Sequence, residues 1–266
     1  MKRVVLANQK GGVGKSAVAC QLAHHLAAAG HRVLFVDLDH QRNSTWALAR
    51  NAKVHAAPFT ALQLIEGTQV PPTLPGAFVL VGGDEGLVGL ERRVPEHNTF
   101  LANFEDFLDV VDGSFDFCLI DTNPNPDIRY VIALALARYV LSPIELNQEA
   151  IDGIRALLSH SKYGLHNIQM KINPKLELLG LLPNMVEPTP FQRGNLASLI
   201  QEHGNLLIST GGDAHQFAYI PTRTAIAEAQ AEGAYLADMK KTSARDASRE
   251  VRRCFEAVER RIAEAA

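Results

Sequence analysis

The run Lys10-Gly11-Gly12-Val13-Gly14-Lys15-Ser16 carries the residue types that grip a polyphosphate. Glycines let backbone N–H groups turn inward around an anion with no Cβ in the way, and a helix starting behind them adds its positive dipole end. In that arrangement the backbone of Gly11, Gly12, Val13, Gly14, Lys15, Ser16 and Ala17 lines the anion. The Lys15 ammonium then meets the β- and γ-phosphates, and the Ser16 hydroxyl is a ligand for Mg2+. The ordinary pattern asks for a glycine five residues before Gly14, where this chain has Gln9 followed by a second lysine, Lys10.

Three acids stand where they could serve the same phosphates. Asp37 and Asp39 follow the apolar run Val33 to Val36, and Asp121 follows Phe117 to Ile120. An acid that ends a buried strand sits at the carboxyl edge of a parallel sheet, where open α/β folds bind ligands. Asp121 in that position holds Mg2+ through water, since a small octahedral ion keeps several of its waters. Asp37 either faces the metal or holds its own loop, and an Asp-x-Asp after a strand also caps a following helix.

Positioning these groups takes a sheet. Apolar runs at Val4 to Ala7, Val33 to Val36, Phe78 to Val81, Phe117 to Ile120, Tyr139 to Leu141 and Leu176 to Leu182 alternate with helical patterns. That alternation predicts a single α/β domain over residues 1–266, of the P-loop NTPase type, with a doubly wound, mostly parallel sheet and helices on both faces. The helix after the first strand is marked by Val18, Leu22 and His25 or Leu26, with Gly30 closing it. Val70 to Gly76, holding Pro71, Pro72 and Pro75, reads as a loop. From Ser243 a terminal amphipathic helix is predicted over 243–264, its stripe of Val251, Phe255, Val258 and Ile262 packed on the body rather than on a membrane.

Composition limits the partners. With 266 residues, 47% of them hydrophobic, the chain is long enough for one large core. A formal charge of -3 gives no global basic field, so contact with nucleic acid needs a local patch or a face built by oligomerisation. Cys20, Cys118 and Cys254 are far apart with no CxxC spacing, which argues against a disulfide framework or zinc site and fits a reducing cytoplasm. The apolar start before Gln9 is too short for a signal peptide, and no stretch is long enough to span a bilayer.

The box from Lys10 to Ser16 resembles the deviant Walker A motif of the ParA/MinD superfamily of ATPases, whose extra lysine reaches across a dimer interface to the partner's phosphates. The resemblance implies that role for Lys10, ATP and Mg2+ as cofactors, and an ATP-state homodimer. Asp37-Leu38-Asp39-His40-Gln41 is similar to the family's Asp-x-Asp-Pro-Gln switch, which makes Asp39 the group that orients or activates the attacking water. His40 stands where the family usually has proline, so a more flexible loop is expected. Asp121-Thr122-Asn123-Pro124 departs from the usual Asp-Thr-Pro-Pro only beyond the metal ligand. Pro143 to Ile154 is similar to a ParA stretch, Leu179 to Met185 to the strand whose asparagine contacts adenine, and Ile220-Pro221-Thr222-Arg223 to the segment whose proline packs on the base. Asn184 and Pro221 thereby become adenine candidates.

The match runs from Arg3 to the terminal helix, so the small ParA type without an added helix-turn-helix is expected. For that type the resemblance implies a nucleoid-associated cytoplasmic ATPase, slow until stimulated by a ParB-like adaptor, that binds DNA without sequence preference. Arg223, Lys240, Lys241, Arg245, Arg249, Arg252 and Arg253 are the candidate DNA contacts. The alternative is that these cations form a solvated helix face paired with Glu250 and Glu256. A MinD-like membrane-positioning ATPase, a ParA-like positioner of protein clusters and a ligase of the dethiobiotin synthetase type are the alternatives. Stable membrane association is not expected, and Lys10 speaks against the ligase.

Overall fold

Strands built almost wholly from valine, leucine, isoleucine and phenylalanine have no face suited to water, so they pair in parallel between two helical layers. A computed structural model describes residues 1–69, 73–211 and 216–265, with the backbone alone at 148 and 150–152. It begins β1 (Lys2–Leu6), α1 (Lys15–Ala28), β2 (Val33–Asp37), α2 (Asn43–Leu48), β3 (His55–Ala56), α3 (Ala61–Ile65) and β4 (Phe78–Val81). After α4 (His97–Val111) come β5 (Phe117–Asp121), α5 (Ile128–Leu136), β6 (Tyr139–Ile144), α6 (Gln148–Ser159), α7 (Leu165–Lys171) and β7 (Glu177–Pro183). The chain continues through α8 (Pro190–His203), α9 (Thr224–Glu232) and α10 (Thr242–Glu264).

The seven strands form one sheet in the order β3-β4-β2-β5-β1-β6-β7. Every pairing between them is parallel, where the sequence predicted a mostly parallel sheet. Six strands are the predicted apolar runs. The seventh, β3, is two exposed residues at an edge and carries no apolar signal. Because side chains alternate along a strand, Val5, Leu34 and Ile120 enter one core with Phe100, Phe104 and Tyr130. Their neighbours Val4, Phe35 and Leu119 enter the other with Leu22, Leu26 and Phe255.

The carboxyl ends of β1, β2 and β5 are adjacent in the sheet, with Leu6, Asp37 and Asp121 in register. This is where the chain must turn from strand to helix, the end at which open α/β folds bind ligands. At the far end of α1, Gly30 takes a left-handed φ of 94°. Its N–H reaches Ala27 O while His31 N–H reaches Leu26 O, a Schellman closure.

The stripe expected on the terminal helix faces the body: Val251, Phe255, Val258 and Ile262 are all buried. Of the loop expected from Val70 to Gly76, residues 70–72 lie outside the described residues. Among the described residues no helix is long and apolar enough to cross a membrane.

Candidate nucleotide site

Between β1 and α1 the backbone folds into an anion cradle. Gly12 and Gly14 both have φ of 80°, a conformation that side chains resist, and Gly14 is the N-cap of α1. Asn184, just past β7, donates from Nδ2 to Val13 O at 2.8 Å, and a Cβ on Gly14 would lie 2.3 Å from that nitrogen. The Lys15 ammonium, 7% exposed, donates to Lys10 O at 3.1 Å. Burial pulls its pKa down against the opposing charges of Asp121 and Asp39. Gly11, Gly12, Lys15, Ser16, Asp39 and Thr122 help line a polar cavity of about 440 Å³. A second cavity of about 330 Å³, apolar and lined by Asn184, Ile220, Pro221 and Phe255, shares Gly14 and Ala17 with the first.

The three acids take different parts. Asp121 is wholly buried, and its Oδ2 accepts from Ser44 Oγ at 2.6 Å. Its Oδ1 has no partner among the described residues. A buried carboxylate oxygen left without a donor, beside the Ser16 hydroxyl, suits a hydrated divalent cation, whose waters would supply the missing hydrogens. Asp37, also wholly buried, accepts from Asp39 N–H at 3.0 Å, Thr45 N–H at 2.9 Å and Thr45 Oγ at 2.7 Å. Of its two predicted roles, metal ligand or loop holder, these contacts are of the second kind. Burial pushes both carboxyls above the ordinary range, and Asp121's charge raises Asp37 further. Asp39, 5% exposed, stands on the polar cavity wall and accepts from Gln41 N–H at 3.0 Å.

Lys10 is engaged within its own chain. Its Nζ lies 2.9 Å from Glu149 Oε2, 3.2 Å from Asn147 Oδ1 and 3.8 Å from Glu145 Oε2. To meet phosphates on another subunit the side chain must leave these partners.

The candidate DNA contacts are largely compensated. Arg223 pairs with Glu250 at 2.9 Å, Lys241 with Glu228 at 2.8 Å, Arg249 with Asp246 at 2.8 Å and Arg252 with Glu256 at 3.7 Å. Lys240, Arg245 and Arg253 have no ion pair among the described residues and are exposed. The solvated-face alternative therefore describes much of this surface. All three cysteines are free and buried, and burial pushes Cys118 and Cys254 up to about 12.

Several neighbours of the site escaped the sequence reading. Ser44 and Thr45 hold Asp121 and Asp37; Gly83 donates to Thr45 Oγ1 at 2.8 Å and passes so close that a Cβ would meet Asp39 O at 2.7 Å. Arg129, 2% exposed, reaches from α5 to the Asp39 loop. The only advance signals were a Ser-Thr pair shortly after Asp39 and a Gly-Gly directly after β4.

A glycine cradle between the first strand and helix of an all-parallel sheet, with acids at the ends of β2 and β5, defines a P-loop nucleoside triphosphatase fold. The family model AAA_31, described as an AAA domain, matches residues 1–178, and the chain belongs to this family of ParA/MinD-type ATPases. The chain is 34% identical to Protein IncC of Escherichia coli over 95% of its own length and 67% of that protein. It is 30% identical to the chromosome-partitioning ATPase Soj of Thermus thermophilus over 100% of its own length and 98% of that protein. Among solved structures, the ATP complex of a Cyanothece McdA variant superposes with TM-score 0.77 at 21% identity, covering 99% of this chain and 96% of that one.

Proposed function

We propose that this chain is a partition ATPase: it binds ATP with Mg2+, closes into a homodimer, holds DNA without sequence preference and releases it after slow hydrolysis stimulated by a ParB-like adaptor. The observation that carries the reading is the continuity of the glycine cradle with an apolar cavity of about 330 Å³ across Gly14 and Ala17. A nucleotide needs both, an anion seat and a dry slot for its base, joined at the reach of a sugar. With Asn184 Nδ2 committed to Val13 O, the carbonyl of Asn184 is the atom left to meet the base amine, and Pro221 offers it an apolar wall.

Ser16 and Asp121 would hold the magnesium ion, which supplies charge neutralisation between the phosphates when bound. Lys15 contributes a positive charge already desolvated in the cradle. Asp39 orients a water from the cavity wall, and Lys10 exchanges its own carboxylates for a partner's phosphates. Coupling nucleotide to assembly through one lysine makes hydrolysis a timer.

The name of Soj supports a partitioning role. A MinD-like membrane role is less well supported, because the apolar stripe of α10 is buried against the body. DNA binding compared across nucleotide-free, ADP and non-hydrolysable ATP states, each at two salt concentrations, tests the proposal. Binding confined to the ATP state and steeply weakened by salt is expected; equal binding in all three states contradicts it.

A further inference from the structure

We infer that Arg129 is a positioning residue that clamps the loop carrying Asp39 to the segment following β5, and so supplies the stiffness that His40 in place of proline would forfeit. Arg129 lies in the first turn of α5 and is 2% exposed. Its Nε meets both oxygens of Asp127, at 3.1 and 3.0 Å, and its Nη2 binds Asp127 as well. A planar fork held along one edge has a fixed direction for its remaining nitrogen. That nitrogen, Nη1, donates to Leu38 O at 3.3 Å and to His40 Nδ1 at 3.3 Å. The two acceptors bracket Asp39 in sequence.

The clamp is chemically one-way. Arginine has only donors, so this contact uses His40 Nδ1 as its acceptor, and the same nitrogen also lies 3.3 Å from Asp39 Oδ1. Asp127 is tied to the helix as well, since it caps α5 by accepting from Arg129 N–H at 2.9 Å. Loop, arginine and helix start therefore move as a unit. The contact with Leu38 O is buried and those with His40 and Asp127 are part-buried, so the loop cannot replace the first with water without opening. A proline at position 40 would restrict the same loop by a different route, and among the described residues the His40 N–H meets no acceptor that a proline would lose.

The proposal rests on Asp39 being the residue that orients the attacking water, and its first test does not. Hydrogen exchange in the nucleotide-free protein reads the loop directly, through the amides of Asp39, Gln41 and Arg42, which bond to Asp37 Oδ1, Asp39 Oδ1 and Asp39 O. In Arg129→Lys these amides should exchange about tenfold faster, the equivalent of about 1.4 kcal/mol, while those of β1 stay unchanged. Turnover should fall about tenfold with KM for ATP held, the signature of a misplaced group rather than lost binding. Adding His40→Pro should restore both. Should lysine destabilise the fold, the pair Asp127→Asn/Arg129→Gln removes the clamp without stranding a buried charge, and the same responses are expected of it. Exchange equal to that of the unaltered protein, or losses that His40→Pro does not recover, would overturn the clamp. Faster exchange with unchanged turnover would uphold the clamp and remove Asp39 from the chemistry.

Discussion

Gly14→Ala measures how tightly the phosphate cradle and the base cavity are built into one another. Alanine at φ 80° and ψ 23° pays the left-handed penalty of roughly 1–2 kcal/mol. Its Cβ would stand 2.3 Å from Asn184 Nδ2, against the 3.0 Å below which Cβ contacts are essentially not found. The amide must therefore retreat, which stretches its 2.8 Å bond to Val13 O toward the limit of a hydrogen bond. Losing that buried bond adds roughly 1 kcal/mol. The expected total is about 2–3 kcal/mol, seen in thermal unfolding of the nucleotide-free protein as a fall in Tm of about 4–12 °C. Repeating the substitution in an Asn184→Ala background removes the collision and the bond, leaving the backbone penalty alone. The cycle should show coupling of roughly 1 kcal/mol. Equal cost in both backgrounds, or a loss below about 0.5 kcal/mol, would refute the reasoning.

Other consequences follow from the charges. Asp121→Asn should raise the stability of the nucleotide-free protein by on the order of 1–3 kcal/mol, by relieving a buried charge beside Asp37, while abolishing the added stability from ATP with Mg2+. Both carboxyls have pKa values raised by folding, so the stability they contribute is full at acid pH and is lost as pH rises toward neutrality. Proton release on Mg–ATP uptake, read as a dependence of binding enthalpy on the buffer, should accompany their ionisation. His24 runs the other way: buried against Phe78 and Tyr235, its pKa falls from 6.5 to about 4, so its contribution is lost as pH drops through that window. Urea unfolding of His24→Gln should be flatter there than that of the unaltered protein. Glu149→Gln frees one partner of Lys10 and should tighten ATP-dependent dimerisation by a few-fold in sedimentation, with ATP affinity unchanged.

Much of this architecture was legible because parallel strands buried on both faces announce themselves as apolar runs, and the cradle is local in sequence. Asp37 and Asp121 each follow such a run directly, whereas the role given to Asp39, two residues further on, came from the family resemblance. What escaped depends on chain segments far apart: Ser44 meets Asp121 across 77 residues and Arg129 meets Leu38 across 91. The duties of Asp37 hinge on Thr45, whose hydroxyl points inward only once α2 has formed. The basic cluster also read differently in the fold. Glu250, assigned by spacing to the helix itself, instead pairs with Arg223 from before α9, and Lys241 reaches back to Glu228. Helical spacing does foretell Arg252 with Glu256.

Nucleotide should control the pairing of two chains through Lys10. Sedimentation velocity with Mg2+ and a non-hydrolysable ATP analogue, with uptake followed through the single tryptophan, Trp46, on the wall of the phosphate cavity, reads binding and mass together. The unaltered chain should take up nucleotide and double its mass of 29.0 kDa, whereas Lys10→Ala should take it up and remain single. A loaded chain that never pairs, or a Lys10→Ala variant that pairs as well as its parent, would contradict it.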